Sequence, residues 1–77
     1  MKFDKLETIV LARDLPEHGL QEGDLGAVVQ LYAPDGLEVE FVTAAGKTRA
    51  LVTLTPDDIR KVEDTDLIAV RSIGSLA

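Results

Sequence analysis

Leu37-Glu38-Val39-Glu40-Phe41-Val42-Thr43 alternates apolar and charged side chains. A period of two sets Leu37, Val39 and Phe41 on one face of a strand and both glutamates on the other, so the segment reads as a half-buried strand. Beyond the turn Ala44-Ala45-Gly46-Lys47, Thr48-Arg49-Ala50-Leu51-Val52-Thr53-Leu54 reads as its antiparallel neighbour. A symmetric hairpin sets Phe41 opposite Ala50 and Val39 opposite Val52, a bulky side chain meeting a small one inside. It also brings Arg49 diagonal to Glu40, within reach of its carboxylate.

Working outward, Leu25-Gly26-Ala27-Val28-Val29-Gln30-Leu31-Tyr32 is apolar on both faces, which suits a strand bent through a small barrel. Gly26 marks the bend, since glycine inside a strand permits a bulge or a close backbone approach. Ala33-Pro34-Asp35-Gly36 joins this strand to the next. Proline presets the first central position of a type I turn, and glycine suits the left-handed position that follows. Leu6-Glu7-Thr8-Ile9-Val10-Leu11 reads as the first strand. Between the first two strands, residues 13–24 are polar and hold Pro16, Gly19 and Gly23, a long excursion anchored by Leu15 and Leu20. Downstream, Thr55-Pro56-Asp57-Asp58 opens a single helical turn, with threonine as N-cap, proline at the first position and acids near the positive end. Ile59 and Val62 are three apart and face inward. Leu67-Ile68-Ala69-Val70 reads as the last strand, and Ser72–Ala77 as a fraying tail.

The expected fold is therefore all-β: one domain over residues 1–77, a small SH3-like five-stranded barrel with one short 3-10 turn before the last strand. Seventy-seven residues leave room for a single core, and a chain this short buries only ~60% of its unfolded surface. With no cysteine, disulfides, thiolate zinc sites and redox pairs are excluded. Met1-Lys2-Phe3-Asp4-Lys5 does not read as a secretory leader, and no apolar run approaches the ~20 residues of a membrane span. A reduced, cytoplasmic setting without membrane contact is expected.

Charge is unevenly spread. Between Asp14 and Gly46 there are seven acids and no Lys or Arg, whereas residues 47–77 carry five of each sign and the whole chain is at −6. Nucleic-acid affinity rests on clustered Lys and Arg at phosphates, so the acidic middle points away from it and toward a basic protein surface. Lys47, Arg49, Arg60 and Lys61 are the residues a nucleic-acid reading would have to use.

The candidate chemistry is sparse. His18, the single histidine, lies in the long loop with Glu17 and Glu22 but no fixed nucleophile, so it reads as a solvated loop residue and not a general base. Asp57, Asp58, Glu63, Asp64 and Asp66 lack the spacing of a calcium loop. Gly19, Gly23 and Gly26 form neither a dinucleotide nor a P-loop motif, and Glu38 and Glu40 share an open strand face where a glycosidase pair would need a cleft. No catalytic residue, cofactor or metal site is expected, and the chain reads as a binding module. Its contact face is the outer side of the third and fourth strands with Glu38, Glu40, Val42, Arg49 and Leu51. Tyr32 serves as an anchor, and Glu17, Glu22 and Asp24 add electrostatic steering. A homo-oligomer, in which self-association extends a small core, is the alternative.

Residues 8–20, with Ala12-Arg13-Asp14-Leu15-Pro16-Glu17-His18-Gly19-Leu20, resemble a known pattern. So do Glu22-Gly23-Asp24-Leu25-Gly26-Ala27-Val28-Val29, Val39-Glu40-Phe41-Val42 and Leu54-Thr55-Pro56-Asp57-Asp58-Ile59-Arg60. Together they resemble the bacterial domain-of-unknown-function family 4926 over about residues 5–62. The resemblance implies a small barrel related in shape to SH3-like and KOW-type domains, with no assigned activity. It also implies an antitoxin-like or accessory role, because members often lie beside genes for small, toxin-like proteins. An SH3-type proline groove needs an aromatic-lined surface, and Phe3, Tyr32 and Phe41 are the only aromatics.

Overall fold

The computed structural model describes residues 2–74. Five antiparallel strands form one sheet: β1 (Thr8–Leu11), β2 (Leu25–Tyr32), β3 (Gly36–Val42), β4 (Thr48–Leu54) and β5 (Ile59–Lys61), in the order β4-β3-β2-β1-β5. This is the strand connectivity expected of an SH3-like barrel, but hydrogen bonding does not close it, and β4 and β5 remain edges. Closure comes instead from side chains. Thr55 and a 3-10 turn at Pro56–Asp58 are the whole connection between the two edge strands. So short a link curls the sheet, and one core gathers Ile9 and Leu11 of β1, Val28 of β2, Leu37, Val39 and Phe41 of β3, Val52 and Leu54 of β4, and Ile59 of β5.

The hairpin that decides the fold forms in the expected register, with Val39 opposite Val52 and Phe41 opposite Ala50. Gly26 is the reason Phe41 fits. A Cβ there would stand 2.7 Å from Val39 Cγ1 and 2.9 Å from Phe41 Cε1, so its role is close approach. The bend in β2 falls further along, where the register shifts between Val28 and Gln30. The long loop is built as expected on Leu15 and Leu20, both buried, whose backbones exchange two hydrogen bonds of 3.0 and 3.1 Å. Between them Pro16–His18 make a 3-10 turn that ends on Gly19 at φ 68°, a left-handed conformation glycine takes without steric cost.

Four expectations are corrected. Leu67–Val70 is not a strand. The last strand is Ile59–Lys61, which follows the 3-10 turn directly and pairs Leu11 with Ile59 and Ile9 with Lys61. With β2 on one side of β1 and β5 on the other, β1 has no edge left for residues 67–70. Val62 consequently lies exposed past the end of β5 and does not join Ile59 in the core. The first strand starts at Thr8, because Leu6 has φ 73° and gives its N–H to the Val28 carbonyl. The β2–β3 turn holds Ala33, Pro34 and Asp35 with a cis Ala33–Pro34 bond, and Gly36, expected in a left-handed position, pairs with Tyr32 as the first residue of β3. Phe3, which the strand pattern passes over, is wholly buried in the core. Of the expected fraying tail, residues 75–77 lie outside the described residues.

Candidate functional site

Residues directly opposite in an antiparallel pair share a face. Glu38 opposite Thr53 and Glu40 opposite Leu51 therefore lie together on the outer side of the hairpin. Each glutamate is held by a threonine: Thr53 donates its hydroxyl to Glu38 Oε1 at 2.5 Å and Thr48 donates to Glu40 Oε2 at 2.6 Å. No Lys or Arg among the described residues forms an ion pair with either carboxylate. Val42 and Leu51 flank them, each 54% exposed. Tyr32, opposite Gly36, brings an exposed ring to the same face at its far end. These five residues of the expected contact face do come together.

Arg49 does not. The register slips between Phe41 and Val42, so that Val42 pairs with Thr48 and Arg49 is left opposite no residue of β3. A bulge of this kind re-aims a side chain. Thr48 takes the place beside Glu40, and the Arg49 guanidinium lies against Gly19 of the long loop, where any Cβ would collide with it.

The steering acids are likewise redistributed. Glu17 and Glu22 are exposed in the long loop, whereas Asp24 is engaged. Arg71 donates to both of its carboxylate oxygens at 2.8 and 2.6 Å. That hydrogen bond, helped by the Gln21 N–H, holds the Asp24 carboxyl below its ordinary range against the opposing effect of partial burial. Arg60 grips Asp66 in the same two-pronged way at 2.9 and 3.0 Å, and Asp66 is lowered by that bond and by the Glu63 N–H. Lys61 is bonded to Glu7 at 2.7 Å and stands 5.0 Å from the centre of the Phe3 ring. Of the cations a nucleic-acid surface would need, Arg60 and Lys61 thus already have acid partners. In the acid-rich stretch, partial burial raises Asp58, but hydrogen bonds from Arg13 and Thr55 outweigh it and leave the carboxyl lowered. No group of three His, Cys, Asp or Glu among the described residues is placed to hold a metal ion. His18 ends the loop's 3-10 turn, half-buried.

A groove of about 630 Å³ begins where the acidic face ends. Across the outer side of the sheet, Val10 stands between Leu25 and Arg60, and Val42, at the end of β3, lines the same groove. These residues form part of the groove's lining, with Leu20 and Arg49 at the long-loop side and residues 66–74 along the other. The two bidentate arginine–aspartate pairs fix both ends of Leu67–Val70 there, yet Leu67 and Val70 are 94% and 97% exposed. Alternation within the strands could not reveal this feature. The available signal was the apolar run bracketed by Asp66 and Arg71.

A family model described as a domain of unknown function (DUF4926) matches residues 5–61, most of the chain. The chain belongs to that family. The match ends with β5, so the segment that walls the groove lies beyond it. No curated protein and no solved structure matches the chain.

Proposed function

We propose that this family member is a non-enzymatic protein-binding module of the cytoplasm, an antitoxin-like or accessory partner, whose docking surface is the outer face of the β3–β4 hairpin. The observation that carries the reading is a pair of carboxylates, Glu38 and Glu40, held by threonine hydroxyls, without cationic partners among the described residues and set beside exposed Val42 and Leu51. Threonine hydroxyls fix the carboxylates before any partner arrives, so little side-chain entropy is lost on contact. A basic, partly apolar protein surface complements them, with charge setting the rate of encounter and the apolar residues the lifetime. Since β4 is hydrogen-bonded to a strand on one side only, an extended segment of the partner can also add to its edge.

The test is recovery of partners on the immobilised protein at low and high salt, with Glu38→Gln/Glu40→Gln beside the parent. A specific partner lost at high salt, and about tenfold weaker with the double variant (about 1.4 kcal/mol), is expected. The same weak background for both proteins at both salts removes the reading.

A further inference from the structure

The groove beside the acidic face has a different character from the face itself. Three guanidinium groups line it, those of Arg49, Arg60 and Arg71. Two are neutralised within the chain, by Asp66 and Asp24. Arg49 forms no ion pair among the described residues. On a molecule of net charge −6, the groove's own lining thus carries one positive charge in excess, with Glu63 just outside it at 3.5 Å from Arg60. The bulge between Phe41 and Val42 accounts for that placement, because a regular ladder would have turned Arg49 toward Glu40. The remaining lining is largely apolar, with Val10, Leu25, Val42, Leu67 and Val70 along it. Residues 67–73 make no backbone hydrogen bond to other described residues, so the wall they form has N–H and C=O groups to offer. The volume falls in the range of about 300–1,000 Å³ typical of binding clefts, which combine apolar walls with a few placed polar groups.

We propose that this groove binds an extended, apolar peptide segment of a partner protein, carrying one carboxylate that pairs with Arg49. Apolar side chains of the segment lie on Val10, Leu25 and Val42 and against Leu67 and Val70. Its main chain bonds to the open backbone of residues 67–73, as in strand addition. Its Asp, Glu or terminal carboxylate takes the two-pronged contact that Arg49 geometry favours. The site abuts the acidic face and shares Val42 with it, but its charge preference is the opposite, and Glu38 and Glu40 take no part in it.

The experiment is selection from a displayed library of random peptides about eight residues long, an ordinary strand length. It is run in parallel on the full chain and on its Arg49→Gln and Glu38→Gln/Glu40→Gln variants. Enrichment of apolar peptides with one acidic residue is expected on the parent and on the glutamate variant, and its loss on Arg49→Gln. A selected peptide should bind the Arg49→Gln chain at least tenfold more weakly, and a peptide with glutamine for its acid should lose as much on the parent. Arg49 is exposed, and an unchanged circular dichroism spectrum and melting temperature establish that the variant is folded. No enrichment, enrichment of basic peptides, or equal enrichment on Arg49→Gln overturns the proposal. So does saturable binding of decanoate at Arg49 without peptide binding, which would make the groove a small-carboxylate site. Basic peptides captured through Glu38 and Glu40 alone would leave the acidic-face reading intact while removing this one.

Discussion

Leu51-Val52-Thr53-Leu54 and Leu67-Ile68-Ala69-Val70 are near equals in composition and opposite in fate. The first lies in strand β4, with Val52 and Leu54 buried, while the second pairs with no described strand and exposes Leu67 and Val70 almost completely. Strand propensity hardly separates them, since each has two β-branched residues within four. What separates them is what lies alongside. A five-residue turn, 43–47, brings the first run back against β3, where alternation supplies a partner for each inward side chain. The second arrives after β5 has taken the last free edge of β1. Propensity of this sort measures fit to a neighbouring pleated surface rather than an intrinsic preference of the backbone.

The sharpest way to break the comparison is to truncate one residue in the hairpin that holds the first run and one in the second run. Phe41→Ala empties the centre of the core and should cost about 3–5 kcal/mol. For a domain whose whole stability starts near 4 kcal/mol, much of the chain should then be unfolded at room temperature. Val70→Ser should stay within about 0.5 kcal/mol of the parent. Urea titrations of both variants read the contrast, and a large loss with Val70→Ser would mean that the tail is part of the core. A step smaller is Gly26→Ala, which forces a methyl into the contact with Val39 and Phe41 and should cost about 1–3 kcal/mol. A neutral result would show that the two side chains can make room.

How far the sequence could be read follows from the same contrast. The β3–β4 register, the inward set Leu37, Val39, Phe41, Val52 and Leu54 and the two loop anchors are all encoded by local alternation or turn chemistry, whereas the bend expected at Gly26 falls between Val28 and Gln30. The composition of the acidic face follows from that register. The position of Arg49 does not, because one bulged residue reverses a side chain and leaves no mark in the hydrophobic pattern. Phe3 and Ile59 were missed as core and strand for a related reason. Each meets its partner only after the chain has closed on itself, Phe3 beneath Lys61 and Ile59 across from Leu11. The groove was least legible, since its wall is held by Arg60–Asp66 and Arg71–Asp24, pairs of long side chains that hydropathy does not register.

Those pairs supply a third, smaller effect. Both aspartates are lowered below their ordinary values by arginine hydrogen bonds, so each contributes stability above the unfolded carboxylate range, near pH 4. That contribution disappears as pH falls through the lowered, folded value. Arg71→Gln should leave global stability almost unchanged, as expected of exposed pairs, and should free residues 67–73 near neutral pH. In the parent the same release should occur only below about pH 4. Heteronuclear NOEs of residues 67–73 measure it directly. Because Glu7 is also lowered, by Lys61 and then by the Asp4 N–H, overall acid stability alone is not diagnostic. A tail equally ordered in Arg71→Gln and parent at neutral pH would remove the tether from the account.

The smallest effect belongs to Leu6, which composition assigns to a strand, like Leu67, and the fold leaves out. Its backbone is left-handed at φ 73° and its side chain is 75% exposed, so replacing it removes little packing. A left-handed conformation costs an L-residue roughly 1–2 kcal/mol, and glycine escapes that cost while losing about 0.5–1 kcal/mol to its greater unfolded freedom. Leu6→Gly should therefore stabilise the protein by about 0.5 kcal/mol, the difference of those two effects. Leu6→Val, with a branched Cβ poorly tolerated at positive φ, should destabilise it by a similar amount. The opposite signs make the pair informative. Were Leu6 a paired strand residue, valine would be the better of the two and glycine the worse, so a calorimetric ranking of the three proteins distinguishes a strand start at Leu6 from one at Thr8.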